Sequence, residues 1–228
     1  MYDLPSEEIG DAGMPDEFHA HQAALLDETF RPPVYWPDHY YSAIDMNLYY
    51  DARQPYWYKR PDWFGVIGVP RFYEQRDMRL SYVAWQEQAV PLIVMELLSP
   101  GTEKEDLGQT LRVANEPPVK WDVYERILRI PYYAVFSYAS TELRIFRHTG
   151  QRFTEVANHG GRFWLPEAAL GLGLWQGRYH GIEHLWARWY DAQGNWILTG
   201  DERAEQQQQR AERLAEMLRQ LGHDPDQL

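Results

Sequence analysis

Residues 91–100 read PLIVMELLSP, and this stretch decides the fold of the chain. Its interior is apolar throughout except for Glu96, and an apolar run bounded by prolines predicts a strand buried on both faces of a sheet. An unpaired ionised carboxylate in such a strand would cost on the order of several kcal/mol. Glu96 is therefore either a residue that holds a cation or takes part in chemistry, or a glutamate that pairs with an arginine or points outward near the strand end.

The segment upstream of this strand supplies a second carboxylate. Residues 61–69 read PDWFGVIGV, an apolar run flanked by prolines, with Asp62 at its start. Carboxylates from two neighbouring strands can converge on one magnesium ion, which prefers oxygen ligands. Pro-Asp is also a common turn dipeptide. Asp62 is therefore a candidate ligand only in combination with Glu96 on the strand that follows.

The remaining pattern predicts an α/β (α+β) protein in which helices flank a mixed β-sheet. Helical spacing and end signals predict helices over 16–30, 119–130 and 201–221. Strand composition predicts further strands over 40–51, 80–85, 132–139, 142–149 and 151–158, and a hairpin around 191–195. We divide the chain into an acidic N-terminal lead-in (1–15), one domain (16–200) and a C-terminal helical tail (201–228).

Composition excludes several classes of protein. The chain has 228 residues and no cysteine, which rules out disulfides, thiolate nucleophiles and cysteine-based metal sites. The sequence lacks an apolar run long enough to span a bilayer, and the acidic N-terminus lacks the layout of a secretory signal. A cytoplasmic protein without a membrane partner is the resulting expectation.

Charge is unevenly distributed along the chain. The net charge is -12, but residues 1–30 hold eight acids and no Lys or Arg, and the tail is also acidic, so the middle of the chain is close to neutral. A basic strip is formed by Lys59, Arg60, Arg71, Arg76 and Arg79. Phosphate binding rests on such residues, so the strip permits a nucleic-acid partner without indicating one.

Three longer strings carry a resemblance to a known family. PDWFGVIGV, VPLIVMELLSPGTEKEDLG and KWDVYERILRIPYYAVF resemble the restriction-endonuclease-like Uma-two family of the PD-(D/E)XK nuclease superfamily, over about residues 16–180. The family pattern falls on Asp62, Glu96, Ser99, Pro100, Thr102, Asp106, Lys120, Tyr124 and Tyr132-Tyr133. The resemblance implies a restriction-endonuclease-like fold.

The resemblance also implies a reactive set and a cofactor. The usual pattern has a lysine two residues after the second acid, but that position is Leu98, and the resemblance assigns the role to Lys120, one turn before Tyr124 on the following helix. It implies Mg²⁺ or Mn²⁺ held by Asp62 and Glu96, with Lys120 positioning or deprotonating water or offsetting charge, and DNA as partner. Ser99 and Tyr124 are supporting candidates.

Some features fall outside that pattern. The segment between Asp106 and Lys120 is longer than usual and contains Pro117-Pro118, and Ser137 stands where the family often has Asp. His21 on the first helix could face the site or lie in the core. Two hypotheses therefore stand: a metal-dependent endonuclease-like phosphodiesterase, or an inactive interaction protein that keeps the fold and could form a homodimer through its C-terminal helix.

Overall fold

The computed structural model describes residues 16–98, 103–110, 116–156 and 160–221. The lead-in over 1–15, Ser99, Pro100, Thr102 and the last residues, 222–228, lie outside these ranges. The strands are β1 (Tyr40–Ile44), β2 (Leu48–Tyr49), β3 (Tyr58–Lys59), β4 (Trp63–Ile67), β5 (Tyr82–Val83), β6 (Ile93–Leu98), β7 (Tyr132–Ser137), β8 (Glu142–His148), β9 (Phe153–Glu155), β10 (Arg162–Leu165), β11 (Leu170–Tyr179) and β12 (Ile182–Tyr190). The helices are α1 (Glu17–Thr29), α2 (Ala84–Glu87), α3 (Glu103–Asp106), α4 (Lys120–Asp122) and α5 (Gly200–Gln220).

A six-stranded mixed sheet forms the centre, in the order β1-β4-β6-β7-β8-β9. Strands β6 and β7 are parallel, and the other neighbours are antiparallel. Strands β10, β11 and β12 make a second, antiparallel sheet, and β3, β2 and β5 a third, small one. The predicted mixed sheet with flanking helices is confirmed, and β6 lies at its centre as the PLIVMELLSP run indicates.

The two faces of the central sheet have different neighbours because side chains alternate along β6. Met95 and Leu97 point to the face that is covered by α1 and the β10–β12 sheet, whereas Val94 packs on the face with Tyr124 and Tyr133. Glu96 shares that second face. The strand therefore presents its one carboxylate to the side where α3 and α4 lie.

Helix α1 fits its prediction closely and is held at its N-terminus and at its middle by polar contacts. Asp16 caps its first turn by accepting a hydrogen bond from the backbone N–H of His19 at 2.9 Å. The side-chain amide of Gln22 exchanges two hydrogen bonds of 2.8 Å with the backbone of Ala187 on β12. The helix is thereby joined to the second sheet by polar contacts as well as by apolar packing.

Helix α4 differs from the regular helix predicted over 119–130. After Lys120–Asp122 the backbone continues as a π-helical turn, Val123–Ile127. The wider turn shifts the apolar register, so Tyr124 and Leu128 are buried while Ile127 is 38% exposed. A regular helix over 119–130 would place Ile127 on the apolar face with Val123 and Ile130; the structure buries Val123 and Ile130 but leaves Ile127 exposed.

Two other predicted elements also differ. The strand predicted over 40–51 is divided into β1 and β2 at Asp45, whose φ of 48° is left-handed and breaks the extended backbone. The strand predicted over 80–85 is only Tyr82–Val83 before the chain turns into α2. Short alternating runs do not reveal such interruptions.

The main C-terminal hairpin lies earlier than predicted. β11 and β12 are joined at His180 and Gly181, both with positive φ, while the turn at 191–195 closes only an isolated bridge between Tyr190 and Trp196. Strand β11 contains several glycines, and because glycine is uncommon in strands, composition did not predict a strand there. Gly171 is needed there, because a Cβ would fall 1.9 Å from the ring of Tyr190.

Helix α5 confirms the predicted C-terminal helix and begins with a capping box. Thr199 accepts from the N–H of Glu202, and Glu202 accepts from the N–H of Thr199. Among the described residues, no helix is both long enough and apolar enough to cross a bilayer.

Candidate active site

Asp62 and Glu96 meet at one edge of the central sheet. Asp62 directly precedes β4, and the antiparallel pairing of Trp63 with Met95 sets it opposite Glu96 on β6. Its backbone N–H lies 3.4 Å from Oε2 of Glu96, and its Oδ2 accepts the N–H of Leu97 at 2.6 Å. Two carboxylates that are 34 residues apart are thus brought together by strand register.

Glu96 is fully buried, and its carboxylate accepts hydrogen bonds from two side chains. Tyr124 donates its hydroxyl to Oε1 at 2.8 Å, and Lys120 donates from Nζ to Oε2 at 3.1 Å. Burial raises the pKa of Glu96 well above its usual value, and although Lys120 lowers it, the charges of Asp106 and Asp62 act in the same direction as burial. The strand therefore carries a carboxylate whose charge is costly to maintain.

Lys120 links two buried carboxylates. Its Nζ lies 3.1 Å from Glu96 and 3.0 Å from Oδ1 of Asp106, while its side chain is only 17% exposed. Burial alone would lower the pKa of Lys120, but the charges of Glu96, Asp106 and Asp62 outweigh burial and raise it. In this arrangement Lys120 is an ammonium group that donates hydrogen bonds.

The start of α4 is held by a further acid. Glu105 on α3 accepts the backbone N–H of Lys120 at 3.0 Å and binds Lys59 Nζ at 3.3 Å. From there the π turn places the ring of Tyr124 beside the same carboxylate that Lys120 contacts. The two residues predicted to share a helix face therefore both reach Glu96.

Asp106 is a site residue that the reactive set drawn from the sequence left out. It is 1% exposed, its Oδ1 contacts Lys120, and its Oδ2 has no hydrogen-bond partner among the described residues. Tyr133 donates to its backbone oxygen at 2.9 Å and so anchors the end of α3. The available signal was the aspartate in the family pattern, which the sequence alone could not place beside Glu96.

His19, rather than His21, is the histidine nearest to the acids. Its Nδ1 lies 2.7 Å from Oδ1 of Asp16 and its Nε2 lies 3.0 Å from the backbone oxygen of Leu97. Burial would lower the pKa of His19, but the hydrogen bond to Asp16 and the charge of Asp62 outweigh burial and raise it. Both ring nitrogens lie within hydrogen-bonding distance of oxygen acceptors, and these two contacts anchor the ring at this edge.

His21 points elsewhere on the same helix. Its described contacts are with Glu17, at 3.8 Å, and with the rings of Tyr179 and His180. The structure does not bring it to Asp62 and Glu96. Ser99, the other supporting candidate besides Tyr124, lies outside the described residues.

The predicted basic strip does not form a free cationic surface. Lys59 is paired with Glu105, Arg60 with Asp45 and Arg79 with Glu87. Arg71 and Arg76 are exposed. The strip therefore supplies fewer phosphate-binding groups than its sequence indicates.

The donor set at this edge has the chemistry of a site for a hard cation. The ammonium group of Lys120 contacts the carboxylates of Glu96 and Asp106, Asp62 lies beside Glu96, and an oxygen of Asp106 is buried without a hydrogen-bond partner among the described residues. Carboxylate oxygens suit Mg²⁺ and Mn²⁺. Within the described ranges, however, no group of three His, Cys, Asp or Glu residues already has a metal-binding arrangement, and Lys120 lies between two of the acids.

Comparison with known proteins places the chain in a family. The profile described as "Uma2: Putative restriction endonuclease" matches residues 1–182. A crystal structure described as a putative nuclease belonging to DUF820 from Anabaena variabilis ATCC 29413 aligns with a TM-score of 0.45 and 13% identity, over 69% of this chain and 76% of that chain. No curated protein matches the chain significantly.

Proposed function

The chain belongs to the Uma2 family of restriction-endonuclease-like proteins, and from this premise we propose that it is a divalent-metal-dependent endonuclease that hydrolyses phosphodiester bonds in DNA. The observation that carries the proposal is the meeting of Asp62, Glu96 and Lys120 at one sheet edge, with Lys120 3.1 Å from Glu96. A structural ion pair alone would not need a third acid, Asp106, against the same ammonium.

Asp62 and Glu96 would hold Mg²⁺ or Mn²⁺, and Asp106 offers a further buried oxygen. The bound ion would act as a Lewis acid and lower the pKa of water that attacks phosphorus. The backbone N–H of Leu97 orients Asp62 through its 2.6 Å hydrogen bond. Tyr124 fixes Oε1 of Glu96 and leaves the other oxygen toward Lys120.

Lys120 would serve the reaction as a hydrogen-bond donor. Its ammonium group lies among the acids at the place where a phosphate would bring additional negative charge. A fixed cation there offsets the charge that develops on the phosphoryl oxygens in the transition state. His19 lies next to this set and is anchored by Asp16 and the Leu97 carbonyl.

The direct test is cleavage of several DNA and RNA forms with Mg²⁺, with Mn²⁺ and with EDTA, in parallel with calorimetric metal titration. We expect metal-dependent cleavage that falls at least about 100-fold in Glu96→Gln, with weaker metal binding. Glu103→Gln removes an exposed acid from the neighbouring α3 and should change neither. Equal metal affinity in the wild type and Glu96→Gln would overturn the proposal.

A second candidate function is that of a catalytically inactive interaction protein. The observation that favours it is an exposed apolar stripe along the last turns of α5 and its C-terminal cap: Leu214 is 51%, Met217 59% and Leu221, the cap residue, 72% exposed. These residues lie at i, i+3 and i+7 and so share one helix face. The helix carries both Arg and Glu around this stripe, a pattern that suits pairing with a second copy of the chain.

A further inference from the structure

A cavity of about 320 Å³ opens beside the N-terminal end of α1. Phe18 packs on Phe136 with ring centroids 5.7 Å apart, which places the cavity on the face of the central sheet opposite to Glu96. The cavity is nevertheless at the same sheet edge as the acids. Its lining residue Asp16 binds His19, which in turn binds the backbone of Leu97.

The walls of this cavity are aromatic. Tyr138 lies 4.8 Å from Phe18 and 4.6 Å from His184, measured between ring centroids, and Phe18 is stacked 5.9 Å from Trp186. Tyr138 follows β7 directly and remains 52% exposed. A ring that packs on one side and is open on the other can stack against a flat ligand.

The polar atoms around the cavity indicate what such a ligand carries on its edge. His184 contributes its ring to the cavity wall, while its Nδ1 accepts the N–H of Leu185 at 2.6 Å. The carboxylates of Asp16 and Glu17 at the rim would accept from an amino group.

We propose that this cavity binds a nucleobase of the nucleic acid that is cleaved at the Asp62–Glu96–Lys120 site. A base is a flat ring whose edge carries both acceptors and, in adenine, guanine and cytosine, amino donors. The cavity volume is at the small end of the range for ligand pockets, about 300–1,000 Å³, and suits one ring system. This inference rests on the proposed function for the identity of the polymer.

The location of the cavity also defines the form of the nucleic acid. A base inside a duplex is stacked on both faces and cannot enter a cavity without leaving the stack. The substrate is therefore a single strand, or a duplex with an unpaired nucleotide close to the cleaved bond. Stacking on aromatic side chains is sequence-tolerant, and the acidic rim disfavours thymine and uracil, which lack an amino group.

The test is binding measured without cleavage. Fluorescence anisotropy in EDTA would compare a short single-stranded DNA with the same strand in which the central nucleotides are abasic, for the wild type, Tyr138→Ala and Tyr138→Phe. We expect Tyr138→Ala to bind the normal strand about fivefold to a hundredfold more weakly and the abasic strand as the wild type does. Tyr138→Phe retains the ring and should bind as the wild type does.

Trp36→Ala is the matched control, since Trp36 is 77% exposed and follows the opposite end of α1. An equal loss for both strands in Tyr138→Ala, or no preference of the wild type for the normal strand, would overturn the inference. Because the readout does not require turnover, a chain that binds the base but cleaves nothing would support the cavity while contradicting the proposed function. Conversely, cleavage at the same rate with and without the Tyr138 ring, and with normal and abasic strands, would support the proposed function and contradict base binding in the cavity.

Discussion

The ammonium of Lys120 lies 3.1 Å from Oε2 of Glu96, although the two residues are 24 positions apart and belong to different elements. The position two residues after Glu96 on the same strand is Leu98, which is apolar. A helix that crosses the sheet edge therefore supplies the cation that the strand lacks. This relationship is the basis of the first two predictions.

Replacing Lys120 by methionine should destabilise the fold as well as reduce cleavage. The change leaves the buried carboxylates of Glu96 and Asp106 without their shared counter-ion, which costs roughly 3 kcal/mol of the free energy of unfolding. Urea denaturation measures this loss. Lys104→Met, on the exposed side of α3, is the matched control, and equal unfolding free energies for the two variants would contradict the interpretation of Lys120.

Glu96→Gln should lose activity but gain stability. Burial raises the pKa of Glu96, and Asp106 and Asp62 add like charge, so a neutral isostere removes a net unfavourable charge. We expect the free energy of unfolding to rise by about 1 kcal/mol near neutral pH. Thermal unfolding of wild type and variant in EDTA measures it, and a clear decrease would show that the Lys120 contact outweighs the repulsion.

His19 and His21 form a matched pair on one helix. His19→Gln should reduce cleavage about tenfold or more, because His19 orients the Leu97 backbone that holds Asp62. His21→Gln should have a smaller effect, since His21 contacts Glu17, Tyr179 and His180 and lines the cavity beside α1 instead of approaching Asp62 and Glu96. Steady-state cleavage rates distinguish the two, and an equal effect would remove His19 from the site.

The anchor of α5 should give a pH-dependent contribution to stability. Burial would raise the pKa of Glu202, but the hydrogen bonds from Arg188 and Thr199 outweigh burial and lower it. A lowered acid pKa stabilises the fold above the unfolded-state pKa, and this stabilisation is lost as pH falls through the folded-state pKa.

Glu202→Gln should therefore be less stable than the wild type near neutral pH, and the difference should shrink as pH falls below about 4. Urea unfolding as a function of pH measures the difference. Glu205→Gln, an exposed change on the same helix, should show no such trend. A difference that is independent of pH would contradict the role of the Glu202 charge.

The exposed stripe of α5 predicts a homodimer. Replacing Leu214 and Met217 by glutamate should convert a concentration-dependent dimer to a monomer, because charges would replace the apolar contact. Sedimentation velocity over a range of concentrations measures the mass. Gln207→Glu is a surface control on the same helix, and a wild type that is monomeric at every concentration would end the dimer hypothesis.

The sequence by itself determined the buried strand with one acid, the carboxylate at the mouth of the preceding apolar run, and the family. These are local signals, because alternation, proline boundaries and short motifs are properties of neighbouring residues. The family resemblance also indicated Lys120 and Tyr124, and their spacing of four residues is compatible with one side of a helical turn.

Only the tertiary structure decided which side chains meet. The register of β4 against β6 sets Asp62 beside Glu96, the π turn changes which residues of α4 are buried, and the end of α3 brings in Asp106. Whether His19 or His21 approaches the acids depends on how α1 is rotated about its axis relative to the sheet edge. Such contacts join residues that are far apart along the chain, and no local pattern encodes the distance between them.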